Sequence, residues 1–182
     1  MVGACYKHAM STTGWLLYAP GESWIEDLLD GSWELEVPTE PAGRWQGGFF
    51  AHSQDQPWDV ERRLQTVSER HGIPLLACYV ETSDFGYVLA LLRGQPLARY
   101  VVNAHSADIF VEGVWALEQC VAMHGRDWQR MGLEGLADWS EVAPRPLTAD
   151  QLQALLAGKH LFPEDPLFNE LGPALGIEAP RP

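Results

Sequence analysis

Three β-rich runs crowd into residues 73–102. Ile73 to Glu81, Tyr87 to Leu92 and Pro96 to Val102 are separated only by Thr82-Ser-Asp-Phe-Gly86 and by a turn at Gly94. Their aromatic and β-branched content reads as strand, and the short connections predict a central antiparallel meander. Gly14-Trp-Leu-Leu-Tyr-Ala19, ended by Pro20-Gly21, predicts a first strand. Trp33-Glu-Leu-Glu-Val37 alternates with period two, as a half-buried strand does, and residues 38–48 read as loop.

Helical spacing occupies much of the rest. Ser23 caps a brief helix carrying Trp24, Ile25, Leu28 and Leu29, which Gly31 stops. Asp55 or Gln56 precedes Pro57 at a first helical position, with Val60, Leu64 and Val67 on one stripe and Gly72 as the stop. Beyond Ile109, Val114, Leu117 and Val121 define a helical face, and Trp128, Met131 and Leu136 another. Pro144 and Pro146 break the pattern. Thr148 with Gln151 forms a capping box for a helix bearing Leu152, Leu155 and Leu156 and ending at Gly158. Asp165-Pro166 opens a last helix with Leu167, Phe168 and Leu171, closed by Gly172-Pro173.

Strands first and helices later predict an α+β fold, a mostly antiparallel sheet with helices on one face and a C-terminal helical segment. The 182 residues, 46% hydrophobic and 20% charged, suit a single domain. Residues 14–182 are read as that domain, with 148–176 a helical extension packed on it, and residues 1–13 as a disordered leader, since Met10 reads as an initiator as well as Met1 does. No apolar run is long enough to span a bilayer. Cys5, Cys78 and Cys120 are odd in number and widely spaced, which suits a reducing cytoplasm.

Charge narrows the partners. Twenty-five acidic against 12 basic residues give a formal net charge of −13 and a pI near 4.7. Such a field repels phosphate backbones and anionic membranes and attracts basic proteins. The alternative is that acidity serves solubility alone. Glu22, Glu26, Asp27, Asp30, Glu34, Glu36 and Glu40 follow one another with no Lys or Arg between Lys7 and Arg44, a segment suited to steering a cationic partner. Of eight tryptophans, Trp45 sits beside Arg44, Gln46 and Gly47-Gly48 without an amphipathic pattern and reads as an exposed interface anchor; Trp33, inside the acidic segment, is second.

Reaction chemistry is less visible. The phosphate-cradling, dinucleotide, zinc-protease and nucleophile-elbow motifs are absent. Cys120 and His124, four apart, share a helical face and suit a thiolate–imidazolium pair or two metal ligands. Their structural reading is a buried thiol and an imidazolium on the helix C-terminal dipole before Gly125. Cys5 and His8 have a metal-site spacing without a second pair. His105 with Asp108, and His52 with Asp55, suit acid–base work in loops, though an Asp ahead of a helix commonly caps it. No metal and no cofactor is expected.

The stretch Ala77-Cys-Tyr-Val-Glu-Thr-Ser-Asp-Phe-Gly-Tyr-Val-Leu-Ala90 resembles the strand, acidic turn and strand at the core of small bacterial immunity proteins, which neutralise polymorphic or secreted toxins. Leu161-Phe-Pro-Glu-Asp-Pro-Leu-Phe-Asn-Glu-Leu171 is similar to C-terminal helices of such proteins. The resemblance implies a cytoplasmic, cofactor-free protein that occludes a toxin's active site. The expected function is therefore protein binding, with Glu22, Glu26, Asp27, Asp30, Trp33, Glu34, Glu36 and Trp45 facing the toxin domain and no nucleic acid or membrane as partner. The competing expectation is a small hydrolase or transferase using Cys120, His124, His105 or Asp108 in a cleft between sheet and helices.

Overall fold

A computed structural model describes residues 13–28, 33–38, 43–52, 56–82, 84–157, 160, 163 and 165–177, with the backbone alone at 33–38, 51–52 and 165. Among the described residues, six strands form one antiparallel sheet in the order β2-β3-β1-β4-β5-β6. They are β1 (Gly14–Pro20), β2 (Trp33–Pro38), β3 (Trp45–His52), β4 (Pro74–Glu81), β5 (Phe85–Leu92) and β6 (Gln95–Val102). The expected meander is β4-β5-β6, in continuous register from Pro74↔Leu92 to Glu81↔Phe85 and from Leu92↔Gln95 to Gly86↔Val102, with one shift between Ala90 and Leu91.

The segment read as loop up to Gly48 instead enters β3, which inserts between β1 and β2. Glycines at 47 and 48 weaken any strand signal. Pairing supplies what propensity lacks, since Trp45 to Phe50 run opposite Pro20 to Trp15.

The helices are α1 (Ser23–Leu28), α2 (Pro57–His71), α3 (Ala104–Ala107), α4 (Val111–His124), α5 (Trp128–Ser140), α6 (Ala149–Leu156) and α7 (Leu171–Leu175). Their punctuation is physical. Pro57 occupies the first position of α2, and Gly72 closes it in the left-handed region at φ 64°, returning its N–H to Ser68 and Glu69 carbonyls. The Thr148–Gln151 capping box is made at both of its hydrogen bonds. The final helix does not end at Gly172-Pro173. A π-helical turn over Asp165–Glu170 leads into α7, and the left-handed residue is Gly176.

Helices cover both faces of the sheet rather than one. Trp15, Leu17, Leu75, Ala77, Tyr79, Tyr87 and Leu89 pack with α1, α2, α3 and α4. Leu16, Tyr18, Leu76, Cys78, Val88, Ala90 and Tyr100 pack on the opposite side with α5, α6 and α7. Both sets of alternating residues are therefore apolar, and β4 and β5 read as unbroken hydrophobic runs instead of alternating ones.

On the α5 side the fit is close. A carbon placed at the Cβ position of Gly132 would lie 2.5 Å from the Arg99 carbonyl oxygen, and one at Gly135 2.3 Å from that of Leu97. These two glycines, three residues apart, let α5 lie directly on the β6 backbone. Gly135→Ala is expected to lift α5 from the edge strand and lower stability by about 1–3 kcal/mol, the usual range for overpacking, as read from urea unfolding. An unchanged midpoint would mean the helix can shift without cost.

Candidate functional site

The residues proposed from sequence do not converge on one centre. Trp45 is the clearest correction. It is 1% exposed in β3, and its ring meets Trp139 edge-on at 6.0 Å. Trp139 is anchored in turn by an indole N–H donated to the Leu91 carbonyl at 2.7 Å. A tryptophan between polar residues and glycines looked exposed because its covering helix, α5, lies more than eighty residues away in the chain. Cys5, His8, Asp30, Glu40 and Asp55 lie outside the described residues; Trp33, Glu34, Glu36 and His52 are described by their backbone alone, in β2 and β3.

The acidic segment is partly neutralised. Asp27 Oδ2 is 2.9 Å from Arg70 Nη1 and 2.8 Å from His71 Nε2, and these contacts hold its carboxyl below the usual value, with His71 contributing most. Arg63 donates to the Asp27 and Leu28 carbonyls at 3.2 and 3.1 Å, satisfying the open end of α1. Asp27 is thus a structural group that clamps α1 onto α2, whereas Glu22 and Glu26 stand exposed.

Cys120 and His124 do share α4, but not as a reactive pair. Cys120 is fully buried, and burial pushes its thiol up to about 12, opposite to the shift a thiolate nucleophile requires. Burial first, and the nearby Arg99 guanidinium second, lower the His124 value, so the expected imidazolium at the helix end is disfavoured. His105 is exposed on α3 and Asp108 is exposed at that helix's C-terminal boundary; Phe110, not Asp108, occupies the N-cap of α4. Among the described residues no group of three His, Cys, Asp or Glu side chains is placed to hold a metal ion.

Beside these residues lies a buried ionic cluster that the sequence did not disclose. Glu61 of α2 accepts from Arg99 of β6 at 2.5 Å, from the Tyr87 hydroxyl at 2.9 Å and from Gln65 at 3.2 Å. The two charged side chains are only 12% and 6% exposed. Glu61 falls within the apolar stripe of α2, one residue after Val60, where a carboxylate usually reads as solvated. The cluster joins helix to edge strand, and burial raises the Tyr87 value well above normal.

The surface feature with the character of a binding site is α4 itself. Its inward face is Gly113, Ala116 and Cys120. A carbon at the Cβ position of Gly113 would sit 2.0 Å from the Ala107 carbonyl oxygen, so the helix packs by its small residues. The valines point outward: Val111 is 70% exposed, and Val114 and Val121 are also exposed, reversing the expectation that Val114 and Val121 mark the core side, with Leu117 half-buried against the core. Ile109, 73% exposed, extends the patch toward α3. At its margin Trp115 meets both Tyr87 at 5.3 Å and the partly exposed Trp58 at 6.1 Å.

Two outcomes test this assignment of roles. Arg99→Ala, by stranding buried Glu61, is expected to cost about 3–5 kcal/mol in urea unfolding, while Glu61→Leu combined with Arg99→Met recovers most of it. A small loss in the single variant would show that water reaches the cluster. For His124, the unfolded chain binds a proton before the folded one as pH falls through the ordinary value of 6.5. Its contribution is therefore intact above that value and is lost in acid, saturating at the lowered folded value. The pH dependence of the melting temperature between about pH 7.5 and 5.5 should flatten in His124→Gln; an identical slope would assign the titration elsewhere.

Compared with protein-family profiles, characterised proteins and solved structures, the chain matches none.

Proposed function

We propose that this chain is an acidic protein-binding module of the immunity, or antitoxin-like, kind, which neutralises a cognate toxin domain by occluding its active site. The observation that carries the reading is the outward apolar face of Ile109, Val111, Val114 and Val121 on a molecule of net charge −13. Isolated exposed aliphatic side chains need no explanation, but four within thirteen residues, beside Trp58, form the contiguous surface that interfaces use. The surplus of carboxylates suits the other half of recognition, because a long-range negative field speeds encounter with a cationic domain. Glu22 and Glu26 are exposed and suit that steering role; Asp27, engaged with Arg70 and His71, does not.

The hydrolase or transferase alternative has less support. Its thiol is shifted toward the protonated form, and its remaining candidates are divided between a half-buried helix end and two exposed positions on and beside α3.

Coexpression of this chain with any toxic product of a neighbouring gene is expected to restore growth, and the purified pair to co-elute as one complex. Glu22→Gln with Glu26→Gln should slow association several-fold at low salt while leaving dissociation nearly unchanged. A toxin left active and unbound in the presence of the chain, or turnover of a small metabolite by the chain alone, would overturn the reading.

A further inference from the structure

We infer that the outward face of α4 receives one amphipathic helix of a cationic polypeptide partner, and that Glu118 fixes its register. The inference rests on the protein-binding reading above and names the chemistry of what binds. Val111, Val114, Glu118 and Val121 follow one another at offsets of 3, 4 and 3, so they form a single ridge along the exposed side of the helix. At a rise of about 1.5 Å per residue the ridge is roughly 15 Å long, the reach of about three turns of a partner helix. Helix-in-groove recognition reads such a ridge with aliphatic anchors at matching spacing.

Charge selects the occupant. No Lys or Arg occurs between Arg99 and Arg126, and Arg99 is buried against Glu61. The segment carries Asp108, Glu112 and Glu118, with Asp108 and Glu118 exposed and Glu112 half-buried. His124, at the helix end, is held toward its neutral form. The ridge is thus apolar with carboxylates at its start and within it, and the complement is an aliphatic stripe flanked by Lys or Arg. A second copy of the chain is a poor match. Antiparallel pairing of two α4 helices about the ridge centre would bring the two Glu118 carboxylates near one another, between molecules each of charge −13. An anionic bilayer is opposed by the same field.

The probe is a synthetic helical peptide with leucines at i, i+3, i+4 and i+7 and flanking arginines, alongside a matched peptide carrying glutamates in place of the arginines. Each is titrated into the full chain and followed by calorimetry and by tryptophan fluorescence, to which Trp58 and Trp115 contribute. The arginine peptide should bind and the glutamate peptide should not. Val114→Asp should weaken binding at least about tenfold. Glu118→Lys should weaken the arginine peptide and allow the glutamate peptide to bind, a reversal that mere loss of structure would not produce. Both positions are exposed, so unchanged circular dichroism and melting are expected; Val121→Asp gives an independent check.

Several results would overturn the inference: no binding of the arginine peptide, equal binding of both peptides, or wild-type affinity in both valine variants. So would a dimer that Val114→Asp dissociates, which would assign the face to a second copy, or uptake into zwitterionic vesicles abolished by the same variant. A toxin complex that survives Val114→Asp at full affinity would sink this inference and leave the binding-module reading standing. Peptide binding as described, without any toxin complex, would support this inference and overturn only the toxin-neutralising part of that reading.

Discussion

Two-sided burial of an antiparallel sheet is the constraint on which the rest of the structure depends. Antiparallel sheets commonly leave one face to water, and their strands then alternate apolar with polar residues. Here Trp15, Leu17 and Tyr79 point to one helical layer while Leu16, Tyr18 and Cys78 point to the other. The central strands accordingly have no polar face to spare. Four of the tryptophans, Trp15, Trp24, Trp45 and Trp139, are consumed in filling these layers.

Close packing on the two sides is achieved differently. On the α5 side, glycines bring helix and strand backbones together, and the indole of Trp139 finds its acceptor at Leu91, beside the register shift between β5 and β6. On the α2 and α4 side the layer contains a charge pair. Glu61 and Arg99 are tolerable there only because Tyr87 and Gln65 fill further hydrogen-bonding positions on the carboxylate. The same layer buries the thiol of Cys120, while partial burial beside Arg99 lowers the His124 value, so both groups are shifted away from the thiolate–imidazolium pair that their spacing suggests.

The outward character of α4 follows from how its inner face is made. A helix that approaches its neighbours through Gly113, Ala116 and Cys120 buries small side chains and leaves its valines outside. In the proposed binding reading, an apolar outer ridge on a strongly acidic molecule links packing to recognition: the core sets which residues would be left to meet a partner, and the surrounding carboxylates would set which partners approach.

Sequence alone determined the α+β class, the β4-β5-β6 meander, the limits of α2 and the capping box of α6, because each follows from local periodicity or from a residue whose backbone preference acts within a few positions. The continuous apolar runs of β4 and β5 also carried the signal of two covered faces, although the order of strands and helices pointed to one. Only the tertiary structure decided that β3 is a strand, that Trp45 is interior and that Glu61 meets Arg99, since these depend on pairing with other strands and on partners as far as nearly 100 residues away. It also decided which side of α4 faces water: valines at helical spacing look like a core stripe, but the buried face is made of small residues, and the close approach of Gly113 to Ala107 settles the matter.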